Sequence, residues 1–390
     1  MVPYFPPKIQ DIPSIYGGNS SEVIPQIDEP VKRDTAIMER SVRKEEMRMK
    51  KDLIQKIRVL CLLLTVLFSI NIITGCGGNG SGNDEDDNGN SDTGATINPN
   101  LVQVNDFLYQ LQNIDLTAIG NSKFDVVIMD YSRTGGADGE YTVQEIATLK
   151  QSVKVVLAYI SIGEAEPYRY YWNPSWIPGT PDWLGHSNPD WPDNFKVKYW
   201  DPDWQTTISV YLTKLINQGF DGVYLDIIDG YHYWANEAFA NGENEQLADD
   251  QTAADRMIDF IVNIAEHCRT TANDQHFIVC PQNGTYLIWD ASDAKVTLYW
   301  DVIDAVGVED TYYFGNSDDD NPFDPQTDVI ENLDEYVMNK KVVFATDYLT
   351  ATNTVAIDNF YSNCQTKGFL PFATHRDLNE LRINTGHEPD

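Results

Sequence analysis

The chain has 390 residues, 60 of them acidic and 27 basic, for a formal net charge of −33 at pH 7. That length holds one large globular domain with appendages, and the acidity excludes a nucleic-acid partner, which would need clustered Lys and Arg to meet phosphates. Five cysteines without a CxxC pair and six histidines without ligand spacing exclude a zinc site, so no metal and no cofactor are expected.

Residues 1–75 read as an N-terminal extension plus a signal peptide. The first 58 or so residues show no sustained periodicity. Arg48, Lys50, Lys51, Lys56 and Arg58 then precede an apolar run from Val59 to Ile73, shorter than the ~20 residues a spanning helix needs and flanked as a secretory signal is. The run ends in Ile73-Thr74-Gly75-Cys76, which resembles the lipobox of bacterial lipoproteins. That resemblance implies cleavage before Cys76, lipidation of Cys76, and an exported protein anchored to a membrane at the cell surface or in the periplasm. A plain signal anchor is the competing reading. Residues 76–100 are Gly, Asn, Ser and Asp in low-complexity order, a flexible acidic tether. From Cys76 onward 51 acidic residues face 16 basic ones, which suits a cationic or neutral substrate, or simply an acidic exported protein.

Residues 101–390 form the globular part. Eight β-branched and aromatic runs predict strands: Phe107 to Gln112, Asp125 to Tyr131, Lys154 to Ser161, Gly222 to Ile228, Phe277 to Pro281, Ala305 to Glu309, Val342 to Asp347 and Phe369 to Thr374. Helical patterns cover Thr142 to Gln151, Asp203 to Gln218, Ala248 to Thr271, Thr327 to Asn339 and Val355 to Lys367. The alternation predicts an α/β fold, a (β/α)8 TIM barrel forming a single globular domain after the signal and tether. An open doubly wound sheet is the alternative, but no glycine-rich phosphate turn follows any early strand.

In α/β barrels the chemistry sits where the strands end. The fourth predicted strand, fed by the turn Gly219-Phe220-Asp221-Gly222, delivers Asp226 and, just beyond it, Asp229 and Tyr231. The other strand ends present Asp130, Tyr131, Glu164, Gln282, Asn283, Glu309, Asp347 and Arg376. With Tyr159, which offers a donor to Asp226, these form a polar ring able to bond the hydroxyls of a sugar. Between Glu166 and Pro202 lies an insertion dense in Tyr and Trp, read either as flat faces for sugar rings or as a small core of its own. The run Asp318 to Pro325 lacks the glycine and ligand spacing of an EF-hand and reads as a solvated loop. Cys268, Cys280 and Cys364 allow at most one disulfide, with no pairing readable.

Three stretches carry a family resemblance: Asp125-Val-Val-Ile-Met-Asp-Tyr-Ser132, Val156-Leu-Ala-Tyr-Ile-Ser-Ile-Gly-Glu-Ala-Glu166 and Gly219 to Tyr231. In this order they resemble the endo-α-1,4-polygalactosaminidases, glycoside hydrolase family 114, in the bacterial and archaeal exported branch once labelled cysteinyl-tRNA synthetase-related. The resemblance spans about Phe107 to Leu378. It implies a barrel glycosidase acting on an α-linked, galactosamine-rich polysaccharide, with a carboxylate pair at Asp226 and Glu309. Neither a HIGH-like nor a KMSKS-like motif supports the synthetase label. Chitinase-type barrels are excluded as well, because Ile228 stands where their catalytic Glu belongs. Asp226 is expected as an ionised nucleophile and Glu309 as a protonated general acid/base, with retention of configuration favoured. A non-catalytic carbohydrate-binding barrel, or a barrel hydrolase or lyase of another substrate, are the other readings. The oligomeric state is left open.

Overall fold

The structure is a computed structural model that describes residues 96–390 apart from Asp190; Cys76 and most of the tether lie outside the described residues. In chain order, β1 (Phe107–Tyr109), β2 (Val126–Met129) and β3 (Val155–Ser161) precede a small antiparallel sheet of β4 (Glu164–Ala165), β5 (Leu184–Ser187) and β6 (Phe195–Val197). There follow β7 (Gly222–Asp226), β8 (Ile278–Pro281), β9 (Ala305–Glu309), β10 (Val342–Tyr348) and β11 (Leu370–Thr374). The eight strands outside the small sheet pair parallel, in two ladders ordered β1-β2-β3-β7-β8 and β9-β10-β11. One parallel bridge, Gln282 to Gly307, joins β8 to β9. At the other seam the Leu111 and Gln112 amides both donate to the Leu378 carbonyl.

The ladders share one interior. Tyr109 of β1 packs on Tyr224 of β7 with ring centroids 5.2 Å apart, and Phe107 lies 4.9 Å from Phe344 of β10 and 5.5 Å from Phe372 of β11. Strand order, direction and these cross-interior contacts are compatible with a closed (β/α)8 barrel. All seven residues of β3 are buried, as expected of a parallel strand covered on both faces.

The helices are α1 (Leu116–Gly120), α2 (Val143–Leu149), α3 (Pro202–Gln218), α4 (Gly230–Asn236), α5 (Asp250–Ala272), α6 (Leu287–Asp290), α7 (Asp293–Val302), α8 (Thr327–Met338) and α9 (Thr354–Lys367). Their ends follow local chemistry. Asp201 caps α3 by accepting from the Asp203 amide, Pro202 opens it, and Gly219 closes it at φ 95°. Four of these nine, α1, α4, α6 and α7, have no counterpart among the predicted helices. They are short or, like α7, bury a single residue, Tyr299, so they carry no apolar stripe for periodicity to find.

Two predicted strands end early for a definable reason. The fourth stops at Asp226 because Ile227 turns to φ 60°, and the first stops at Tyr109, after which Gln110 bonds its side chain to the Gln112 and Asn113 carbonyls. At the opposite, N-terminal face, aspartates just ahead of the strands stitch neighbours together. Asp106 accepts from the Asp125 amide at 2.8 Å, Asp221 from Val156 at 2.9 Å and Asp304 from Val279 at 2.9 Å. Cys268, Cys280 and Cys364 are buried free thiols.

Gly307 of β9 lies under the Tyr224 ring, in space that any Cβ would share with the tyrosine side chain. Gly307→Ala is therefore expected to destabilise the fold by about 3 kcal/mol, the upper range for overpacking a rigid core. Chemical denaturation of the purified variant checks this.

Candidate active site

Side chains alternate along a strand, so every second residue faces the interior. The register places Ser161 opposite Asp226, Tyr159 opposite Tyr224, and Glu309 opposite Thr346. This puts Asp226, Glu309 and their partners at the C-terminal rim. Asp226, half-buried, accepts from the Tyr159 hydroxyl on Oδ2 at 2.5 Å and from the Ile227 amide on Oδ1 at 2.8 Å. Ile227 itself turns left-handed, at φ 60°. That φ is strained for a β-branched residue, and Gly163 and Gly230, which lie against Ile227, make room for it.

Glu309 is more heavily bonded. It accepts from the Tyr348 hydroxyl on Oε1, and from the Gln282 and Asn283 side-chain amides on Oε2, the latter at 3.2 Å. Asn283 also accepts from the Glu309 amide at 3.1 Å, and Gln282 accepts from the Tyr109 hydroxyl at 3.3 Å. Asp310, next in chain, is left-handed too (φ 54°) and is gripped by the Arg376 guanidinium.

The two carboxyls feel each other. Burial first, and then the Glu309 charge, push the Asp226 carboxyl up to about 8, against the opposing Tyr159 and Ile227 bonds. Burial also raises Glu309, against the Tyr348 and Asn283 donors. Such a pair titrates as a unit. Burial of Asp226 works against the ionised form expected of it, and burial of Glu309 favours the protonated form expected of it, while three donors on Glu309 favour its anion.

The remaining candidates divide. Tyr159, Gln282 and Asn283 bond the carboxyl pair directly, and Asp229 is exposed just past Asp226 as the first cap of α4. Asp130 is buried, with Arg169 donating to Oδ2 at 2.6 Å and the Ser132 amide to Oδ1 at 2.9 Å. Glu164 is fully buried on β4, bound by Lys196 at 2.6 Å and Asn188 at 2.9 Å. Three candidates face away from the cleft. Tyr131 has the opposite parity to Asp130 and packs 5.0 Å from Tyr211 of α3. Asp347, opposite in parity to Tyr348, takes the Thr311, Tyr312 and Tyr313 amides, and burial lifts it to about 7. Tyr231 is fully buried and donates to Asp290 at 2.8 Å.

From sequence, no role fell to Arg169, and none of their own fell to Glu166 and Tyr168. Arg169 is 3% exposed and bridges Asp130 to Glu166, while the Tyr168 hydroxyl donates to Glu166. Their only signal was an Arg inside an aromatic run. That run is mainly a core of its own: Trp172 packs on Trp176 and Phe195, Trp183 on Trp204, and Tyr171 on Trp204 and Tyr211. Trp191 remains exposed. The Asp318 to Pro325 loop is largely exposed, as expected of a solvated loop, and is tied down near its start: Asp319 accepts from the Arg376 amide, and Asp320 from Thr350 and Asn353.

The buried Asp226 charge has a signed consequence for stability. Its folded value of about 8 exceeds the ordinary 3.8. Its ionisation therefore costs nothing below about pH 4, costs progressively more as pH rises, and reaches its full penalty above about 8. Asp226→Asn should stabilise the fold by about 1–3 kcal/mol at pH 8, discounted for cleft hydration, and by little at pH 4. Thermal unfolding across that range is the measurement.

Comparison with known proteins agrees with this architecture. A family model described as glycoside-hydrolase family GH114 matches residues 90–388. An uncharacterized protein of Methanocaldococcus jannaschii, MJ1477, is 37% identical over 282 residues, covering 71% of this chain and 77% of its own length. An uncharacterized protein of Thermotoga maritima is 33% identical over 292 residues, covering 73% and 85%. Among solved structures, the glycoside hydrolase domain of PelA from Pseudomonas aeruginosa superposes with a TM-score of 0.53 at 17% identity, covering 72% of this chain and 98% of that domain, a likeness of fold. The chain belongs to glycoside hydrolase family GH114 and is a glycoside hydrolase.

Proposed function

We propose that the chain is an exported, lipid-anchored endo-glycosidase that cleaves an α-linked, galactosamine-rich polysaccharide by double displacement, with Asp226 as nucleophile and Glu309 as general acid/base. The observation that carries this reading is the carboxyl pair itself: Asp226 and Glu309 end parallel strands that share one interior, close enough for the Glu309 charge to raise the Asp226 carboxyl. Two carboxyls dividing the work around an oxocarbenium-like transition state is the chemistry of glycoside hydrolysis. The substrate class rests on the family motifs, and the anchor on Ile73-Thr74-Gly75-Cys76.

Asp226, lifted to about 8 by burial and the Glu309 charge, has to attack as an anion while Glu309 protonates the departing glycosidic oxygen, so the Asp226 proton has to leave when substrate enters. A protonated amino group on the sugar, brought beside Asp226, favours its anion. The Tyr159 hydroxyl remains to stabilise that anion. After attack, Glu309, now an anion, takes a proton from a water whose oxygen bonds the anomeric carbon; the ester bond to Asp226 breaks, returning its carboxylate and giving net retention.

Asp226→Asn and Glu309→Gln should each lower kcat by a factor of about a thousand or more on α-1,4-linked galactosamine oligosaccharides while leaving ligand binding in place. Near wild-type turnover in either variant would remove that residue from its role. NMR of the first-formed product should show the α-anomer.

The anchor is tested separately. Cys76→Ala should abolish acylation, detectable by fatty-acid labelling, and shift the protein from membrane to soluble fractions. Unchanged labelling and membrane retention would refute the lipoprotein assignment.

A further inference from the structure

Arg376 follows β11 and was expected, from its place at a strand end, to bind sugar. Its contacts point elsewhere. Nη1 and Nη2 donate to the two Asp310 oxygens at 2.9 and 2.6 Å, a bidentate fork, and Nε donates to the Asp318 carbonyl at 3.1 Å. The face of the guanidinium lies 4.0 Å from the centre of the Tyr348 ring. Both neighbours act on Glu309: Tyr348 donates to its Oε1, and Asp310 is the next residue in the chain, held in a left-handed turn.

We propose that Arg376 is a positioning residue for the acid/base: it fixes the Glu309 carboxyl by clamping Asp310 in its turn and holding Tyr348 beneath its guanidinium. This rests on the reading of Glu309 as general acid/base. A planar fork serves here where a point charge would not, because the same group must pair with a carboxylate edge-on and stack on an aromatic face.

The clamp is electrostatic as well as steric. The charged or titratable groups that face Glu309 are Asp310 beside it, Arg376, Asp226 and Tyr224 from β7, Tyr109 from β1 and Tyr348 from β10. Asp310 pushes the Glu309 carboxyl up and Arg376 pulls it down. Removing either member of the ion pair exposes the other, so the two variants have opposite signs.

The test is carboxyl NMR of the full chain labelled with 13C-carboxyl glutamate, with Glu309 assigned by Glu309→Gln, together with steady-state kinetics on α-1,4-linked galactosamine oligosaccharides. Arg376→Ala should raise the Glu309 midpoint by about one pH unit and lower kcat about 10- to 100-fold, with KM within about threefold. Asp310→Asn should lower the midpoint and also reduce kcat. Arg376→Lys, which keeps charge but loses the fork, should hold the midpoint near wild type and recover only part of kcat. A KM raised tenfold at unchanged kcat and unchanged midpoint would make Arg376 a sugar ligand and overturn the proposal, as would no change in either midpoint or kcat. If Arg376→Ala does not fold, Asp310→Asn and Arg376→Lys decide by the same criteria. If the wild-type chain turns over no such oligosaccharide, the substrate reading fails, while the NMR midpoints still decide whether Arg376 governs Glu309.

Discussion

Two acids brought into one poorly hydrated cleft repel each other once both are charged, and that repulsion is the constraint the rest of the site answers. Among the described residues Asp226 has two donors, Tyr159 and the Ile227 amide, whereas Glu309 has Tyr348, Gln282 and Asn283. The unequal supply favours the Glu309 anion over the Asp226 anion. The backbone turns at the same points, since the residue after each carboxyl of the pair, Ile227 or Asp310, adopts a left-handed conformation. Each such residue costs of order 1–3 kcal/mol, a sum the surrounding barrel must over-determine.

The barrel's outline was readable because parallel strands covered on both faces are continuous apolar runs, and all eight runs became strands. Asp226 and Glu309 were readable because a strand's last residue is where polarity first returns. What sequence could not supply was parity. Tyr131 and Asp347 fall on the outer face, while Asp130 and Tyr348, each one position away, fall inside. A one-residue step in a strand exchanges core for cleft, and no local feature marks which step is taken when both residues are polar or aromatic. Roles set by distant partners were equally hidden. Asp130 and Glu164, expected as sugar ligands, are each bound by a cation far along the chain, Arg169 39 residues on from Asp130 and Lys196 32 on from Glu164.

The insertion after β3 illustrates the same limit from the other side. Its aromatic density suggested platforms for sugar, yet most of the rings pack edge-to-face on one another and on α3. The energetic reason is the chain's own geometry. A segment this long cannot stay ordered on the rim without burying apolar area, so it builds a core before it offers a surface. The buried Arg169, neutralised by Asp130 and Glu166 and flanked by the Tyr131, Tyr159 and Tyr168 rings, ties that core to β2 and β3.

Beneath the carboxyl pair, Tyr109 and Tyr224 lie ring against ring, and the Tyr224 hydroxyl is buried without a hydrogen-bond partner. That layer is a dielectric stopper. A floor of this kind gives a charge on either carboxyl little to polarise from below, so that charge has to be stabilised from the rim, by the donors of each carboxyl and by whatever cationic group a ligand brings.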